Sequence, residues 1–283
     1  MEAKPKISII INCFNGERFI KGCIASVLKQ SYTEWEVIFW DNLSTDRSAF
    51  ILKKFNDKRI KYFKAKKHSN LPMARNLAIS KASENLIAFL DIDDLWDEDK
   101  LSIQIEAIRR HPDFSFCFTE TRVLSESYKK KRRSLKEIFK KKITNSLRDK
   151  LLFSNFIFFS SVLINKSILL NDNIFNGMYH QAEDYDLLLR ISKNNKIIHV
   201  KKILTSYRIH SNNLTNKQYS KNFTESIDIL KNYDDERFSF LGQSFCCLML
   251  FIYHLKKLDL KESIKQLISC ILFFARFGIT YVH

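Results

Sequence analysis

Phe89-Leu90-Asp91-Ile92-Asp93-Asp94-Leu95-Trp96, FLDIDDLW, ends an apolar run on three carboxylates. An apolar run that stops abruptly in acid is the pattern of a buried parallel strand whose carboxyl end opens onto a ligand crevice. Asp91 and Asp93, one residue apart, can face a single site from a turning backbone. A cation between them relieves their repulsion. Hard oxygen ligands select Mg2+ or Mn2+, metals that keep waters and share their shell with substrate phosphates, so a diphosphate is the natural partner. The spacing alone also fits an acidic turn in which Asp94 to Asp99 merely cap and charge the start of the next helix. The neighbouring segments must decide.

On the N-terminal side, apolar runs alternate with amphipathic stretches. Strands are expected at about 6–12, 36–41, 59–64 and 85–91, with helices near 18–30, 46–56 and 72–81. This rhythm predicts an α/β chain built on a mostly parallel, doubly wound sheet flanked by helices, with ligands where the strands end. On the C-terminal side a helix over 98–110 is stopped by His111-Pro112 and followed by the strand FSFCFTET. Further on, FIFFSSVLI (156–164) reads as a strand, 183–193 as a helix and KIIHV (196–200) as a short strand. From about Tyr219 helical periodicity takes over. The segments 238–255 and 267–277 are rich in Phe, Leu, Ile and Cys, but Ser239, Gln243, Ser244 and Arg276 interrupt them.

The 283 residues suffice for one large α/β domain or two small ones, and 5 Gly with 3 Pro argue against long linkers. The formal net charge of +16 points to anionic partners. About half of it lies in KKKRRSLKEIFKKK, 129–142, where nine basic residues stand against Glu137. Six cysteines form no CxxC pair and have no His at zinc-ligand spacing, which fits a reduced cytosolic chain. The apolar stretch near the N-terminus is too short for a signal peptide, and no uninterrupted apolar run reaches membrane-span length. A soluble or peripheral protein is expected.

The other candidate residues also sit at strand ends. Asp41, closing EVIFWD, either accepts the imide N–H of a uracil ring or caps a turn. Phe14, after Asn12 and Cys13, either stacks on a base or belongs to the core. Arg75 in LPMARN either forks onto a diphosphate or is a solvated surface charge. Glu183 and Asp184 open a helix whose Leu187, Leu188 and Ile191 form an apolar face, so acids there suit the dipole. Asp184 can equally act as a general base that deprotonates an acceptor hydroxyl. His210 in YRIHSNNLT either completes a metal shell, contacts the diphosphate, or is simply packed.

Taken in order, ISIIINCFNGERFIKGCIASVLKQSYTEWEVIFWDNLSTD, MARNLAI, FLDIDDLW, AEDYDLLLRI and YRIH resemble the family 2 inverting glycosyltransferases of the GT-A fold, bacterial surface-glycan type, over residues 6 to about 215. The resemblance implies that Asp41 holds the nucleobase, that Asp91 and Asp93 bind ribose and metal, and that Asp184 is the base. Cys13, Phe14, Asn15, Glu17, Asn42, Arg75 and Ile92 are expected to line the nucleotide-sugar site, and His210 to join Asp91 and Asp93 at Mg2+ or Mn2+. It implies a domain at 1–215, with a nucleotide-sugar half (1–111) and an acceptor half (112–215); the helical periodicity beyond it sets off a helical region at 216–283.

The chain departs from the family pattern in lacking a Pro before the first turn, in having Asn42 where a second Asp is usual, and in lacking a Gly before Arg75. No Gln-x-x-Arg-Trp follows the base, which argues for transfer of a single sugar over processive synthesis. The expected reaction is therefore inverting, metal-dependent transfer of one sugar, from a UDP-sugar above other nucleoside-diphosphate sugars, to a glycan or lipid-linked glycan hydroxyl in surface-polysaccharide synthesis.

The basic stretch and the aromatic C-terminal helices suit peripheral contact with the inner face of the bacterial cytoplasmic membrane, although a solvated loop and a helical cap fit them too. Against a sugar-nucleotide pyrophosphorylase stands the absence of a Gly-rich basic loop in NCFNGERF. Against nucleic-acid binding stands a basic stretch accompanied only by Tyr128 and Phe139. A catalytically inactive nucleotide-binding scaffold of the same fold is the remaining alternative.

Overall fold

The computed structural model describes residues 6–125, 144, 146–169, 174–213 and 218–281; the basic stretch 129–142 lies outside them. The chain forms two compact units, 1–127 with 157–177 and 191–210, and 128–156 with 178–190 and 211–283.

The first unit contains one eight-stranded sheet. Its strands are β1 (Ile7–Cys13), β2 (Trp35–Asp41), β3 (Ile60–Lys64), β4 (Leu86–Phe89), β5 (Leu95–Trp96), β6 (Phe114–Ser125), β7 (Leu163–Asn165) and β8 (Lys196–Ile209). They lie in the order β3-β2-β1-β4-β7-β6-β8-β5. The pairs β1–β2, β1–β4, β2–β3 and β6–β8 are parallel. The other three are antiparallel. Helices α1 (Ile20–Leu28), α2 (Ser48–Leu52), α3 (Leu71–Ile79) and α4 (Lys100–Arg109) connect the first strands.

The apolar runs explain the parallel half. β1 is ISIIINC, in which only Asn12 has any appreciable exposure, and β2 is buried throughout. Burying one such Ile or Val side chain is worth about 1.5–3 kcal/mol, so central strands covered on both faces read as continuous hydrophobic runs. Helix α3 starts where Asn70 accepts the Met73 N–H at 3.1 Å and Pro72 stands in the first turn, which fixes the entry of the segment carrying Arg75.

Two expectations change, and one strand was not expected. FIFFSSVLI is a strand only from Leu163; Phe159–Ser161 is a 3-10 turn, because the buried Ser161 hydroxyl donates to its own Phe158 carbonyl at 2.7 Å and Ser160 serves the acidic loop. KIIHV continues to Ile209, since Thr205 to Ile209 pair with Thr121 to Ser125. β5 escapes a periodicity reading because it is two residues long, Leu95 and Trp96 opposite Ser206 and Thr205.

The second unit is helical: α5 (Leu147–Phe153), α6 (Glu183–Ser192) through Arg190, α7 (Tyr219–Lys231), α8 (Arg237–Lys256) and α9 (Leu260–Tyr281). Helices α5 and α8 meet at Gly242, where a Cβ would stand 2.1 Å from the Leu152 carbonyl oxygen. Helix α8 is long and apolar enough to cross a membrane by length and composition, but half of its apolar window is buried in the protein.

Lys100, at the start of α4, is fully buried. Its Nζ donates to Gln104 Oε1 at 2.7 Å and lies 4.1 Å from the Trp96 ring centroid. Burial pulls its pKa down to about 7 from 10.5. Between those values the unfolded chain holds a proton that the folded chain has released, so stability rises with pH across that window. Urea unfolding at about pH 7 and about pH 9 should show a smaller rise in Lys100→Met than in the wild type. An equal rise in both proteins would contradict the assignment.

Candidate functional site

In the first unit the candidate residues follow the carboxyl ends of β1, β2 and β4. β4 stops at Phe89, Leu90 N–H still reaches the Ile10 carbonyl at 3.0 Å, and Asp91 then leaves the sheet. A third acid shapes the loop. Asp94 is buried, and its carboxylate accepts the Ser160 hydroxyl at 2.6 Å and the Arg208 backbone N–H at 3.0 Å. Ser160 Oγ in turn accepts the Asp91 N–H at 3.1 Å, and the Asp94 N–H closes a turn onto the Asp91 carbonyl at 3.0 Å. Burial, then the charges of Asp91 and Asp93, push the Asp94 carboxyl well above its usual range. Asp94 is thus the structural acid of the three.

Asp91 and Asp93 remain partly exposed. Arg75 Nη2 meets Asp91 Oδ1 at 2.9 Å, with the guanidinium 4.8 Å from the Phe159 ring centroid and 5.5 Å from that of Phe175. The Arg75 side chain is only 5% exposed, which removes the solvated-surface reading. His210 Nε2 lies 2.9 Å from Asp93 Oδ2, and its ring packs on Phe19 at 4.7 Å between centroids. Arg208 Nε donates to the Asp93 carbonyl at 2.9 Å. Burial and the Asp91 charge raise the Asp93 pKa. Among the described residues no three His, Cys, Asp or Glu side chains form a group ready to hold a metal. Asp91 and Asp93 still offer hard oxygens, and a dication there must draw much of its shell from a bound diphosphate and water, as Mg2+ commonly does.

Asp41 ends β2 opposite Cys13 of β1. It is buried, with Oδ1 accepting the Ser44 N–H at 2.7 Å and Oδ2 the Tyr62 hydroxyl at 2.7 Å. The carboxylate keeps further lone pairs. Phe14 is exposed and stands 4.4 Å from the His68 ring, so it is not a core residue.

Asn15 and Glu17 are committed to the turn after β2. Asn15, at φ 52°, accepts the Thr45 N–H at 2.8 Å, and Glu17 accepts the Arg47 N–H at 2.9 Å. Asn42 holds the loop before α3 through Ser69, donating to its carbonyl at 2.7 Å. A Cβ on Gly16 would stand 2.8 Å from Cys13 Sγ and 2.9 Å from Ile92 Cγ1, so glycine allows the first turn and the acidic loop to close together.

In the second unit α6 opens with Glu183, Asp184 and Asp186. Glu183 and Asp186 are buried, and Asp186 pairs with Arg190 at 2.9 Å. Asp184 alone of the three keeps partial exposure; its Oδ1 accepts the Tyr185 N–H at 2.6 Å and the Asn155 amide at 3.5 Å. The loop before it is clamped by Glu225 of α7, which accepts the backbone N–H groups of His180, Gln181 and Ala182 at 3.0, 2.8 and 3.1 Å. Sequence reading missed Glu225. A lone Glu mid-helix carries no signal of three amides folded onto it.

The sheet order and the strand-end carboxylates beside a buried arginine fit the GT-A fold that the sequence resemblance implies. The chain belongs to glycosyl transferase family 2, whose description matches residues 8–169. It is 32% identical over 231 residues to the Escherichia coli UDP-Glc:alpha-D-GlcNAc-diphosphoundecaprenol beta-1,3-glucosyltransferase WfgD, covering 80% of this chain and 86% of that protein. Among solved structures it is similar to S. aureus TarS 1-349 in complex with UDP-GlcNAc, with a TM-score of 0.67 at 18% identity over 96% of this chain and 81% of that one. It is also similar to the mannosyltransferase PcManGT from Pyrobaculum calidifontis in complex with GDP-Man and Mn2+, with a TM-score of 0.67 at 12% identity over 99% and 88% of the two chains. At these identities the structural likenesses establish the fold.

Three charge-assisted bonds to one buried carboxylate predict a large effect of truncation. Glu225→Ala should lower the unfolding free energy by about 2–3 kcal/mol and abolish hydrogen-exchange protection at the amides of His180, Gln181 and Ala182. Unchanged protection would contradict the clamp.

Proposed function

We propose that this glycosyltransferase moves one sugar, with inversion, from a UDP-sugar to a hydroxyl of a lipid-linked glycan in bacterial cell-surface polysaccharide synthesis, working at the cytoplasmic face of the membrane. The carrying observation is the pair Asp91 and Asp93, partly exposed, held by Arg75 and His210, with the Asp93 pKa raised by burial and by its neighbour's charge. Two carboxylates forced to share one site are stabilised by a dication. The likeness to WfgD supports a UDP-glucose donor and a diphosphoundecaprenol-linked acceptor.

In this reading Asp91 and Asp93, with His210 beside them, hold Mg2+ or Mn2+, and the complex of PcManGT with Mn2+ supports the choice. The metal supplies Lewis-acid neutralisation of the departing diphosphate. Asp41 uses its spare lone pairs on the uracil imide, and Phe14 offers its exposed ring to the base. Cys13 and Ile92 line the donor site, while Asn15, Glu17 and Asn42 fix the turns that shape it. Arg75 fixes Asp91 and stands beside the diphosphate. Asp184 takes the proton of the acceptor hydroxyl, whose oxygen attacks the anomeric carbon on the face opposite the leaving group; that carbon's bond to the diphosphate breaks and UDP departs.

Nucleoside-diphosphate release from UDP-, GDP- and dTDP-sugars, with Mn2+, Mg2+ or chelator, tests the reading. UDP-glucose turnover should need metal, fall by roughly 10²–10⁴ in Asp184→Asn, and be lost in Asp93→Ala. Metal-independent turnover would overturn the metal assignment. Donor binding without turnover, even with a GlcNAc-diphospholipid acceptor, would favour an inactive scaffold.

A further inference from the structure

Helix α9 carries an apolar stripe that the described fold leaves open. Leu260, Ile264, Leu267, Ile271 and Phe274 recur at spacings of four and three residues, and all are exposed, from 39% at Leu267 to 63% at Leu260. Leu272, 60% exposed, widens the stripe to roughly 160° of the helix at 3.6 residues per turn. The other side of α9 is occupied: Ser263 is buried, and the Ser244 hydroxyl of α8 donates to the Cys270 carbonyl at 3.2 Å.

The border beside Leu272 is basic, with Lys261, Lys265 and Arg276, and Lys256 and Lys257 stand where α8 ends. Glu262 lies 3.2 Å from Lys265 and offsets its charge, and Asp259 lies 3.5 Å from His254, which leaves Lys256, Lys257, Lys261 and Arg276 as the excess of positive charge.

We propose that α9 docks the enzyme on an anionic phospholipid surface, lying in the interface plane with its stripe at the acyl boundary and its basic border at the phosphates. The proposal rests on the lipid-linked acceptor inferred above and names the element that brings the enzyme to it. A wide apolar stripe edged by one sign of charge is the pattern of an interfacial helix. A coiled-coil seam between two copies is narrower and is flanked by complementary charges, whereas here the facing borders would bring lysines together.

The test is co-sedimentation of the full chain with phosphatidylglycerol vesicles and with phosphatidylcholine vesicles, beside donor hydrolysis on the same preparations. The wild type should bind phosphatidylglycerol vesicles, and Ile264→Glu with Ile271→Glu should lower the bound fraction by about tenfold or more with hydrolysis unchanged. Lys261→Ala with Lys265→Ala should remove the preference for phosphatidylglycerol. Undiminished binding by the Ile264/Ile271 variant would overturn the proposal, as would a wild-type dimer that the same substitutions dissociate. Intact hydrolysis with no wild-type vesicle binding defeats the docking alone; vesicle binding with no donor use defeats the transferase reading alone.

Discussion

Asp94 is the residue on which the geometry of the acidic loop turns. A buried carboxylate is costly unless its oxygens are satisfied. Here the Ser160 hydroxyl and the Arg208 N–H satisfy them, and the first also receives the Asp91 N–H. One acid therefore ties together the end of β4, the 3-10 turn before β7 and the last residues of β8. With those three fixed, the backbone that carries Asp91 and Asp93 is held in one place. Arg75 and His210, each packed on aromatic rings, hold the two carboxylates from either side.

The first two strand ends are joined by the same logic. Asn15, Gly16 and Glu17 of one turn exchange hydrogen bonds with Ser44 to Ser48 of the next. The polar side chains there serve mainly to hold backbone. Asp41, where β2 ends, is held by the Ser44 N–H and the Tyr62 hydroxyl. In the second unit Glu225 does for Asp184 what Asp94 does for the first unit's acids, holding backbone amides so that a neighbouring carboxylate keeps a defined position.

Much of this was legible in the sequence because it rests on pattern. The parallel strands announce themselves as Ile- and Phe-rich runs, and acids at their carboxyl ends mark the edge that can bind a ligand. In the fold Arg75 meets Asp91 and His210 meets Asp93. The antiparallel half was harder: β5 is too short to show a period, and the polar residues of Ser206 to Ile209 hide a continuing strand. Least legible were the supports. Nothing distinguishes Asp94 from its neighbours in FLDIDDLW, or Glu225 within α7, until the chain is folded and their partners are seen. Asn15, Glu17 and Asn42 show the converse, since residues that match the family's turns spend their polar atoms on backbone.

In the proposed function Asp91 and Asp93 form a place for a dication bound together with a nucleoside diphosphate. Calorimetric titration of UDP into the protein, with Mn2+ and then with chelator, for the wild type and for Asp93→Asn, measures this directly. Binding that requires Mn2+ and is lost in Asp93→Asn is the predicted result. UDP binding of equal strength with chelator, or undiminished in Asp93→Asn, would contradict it.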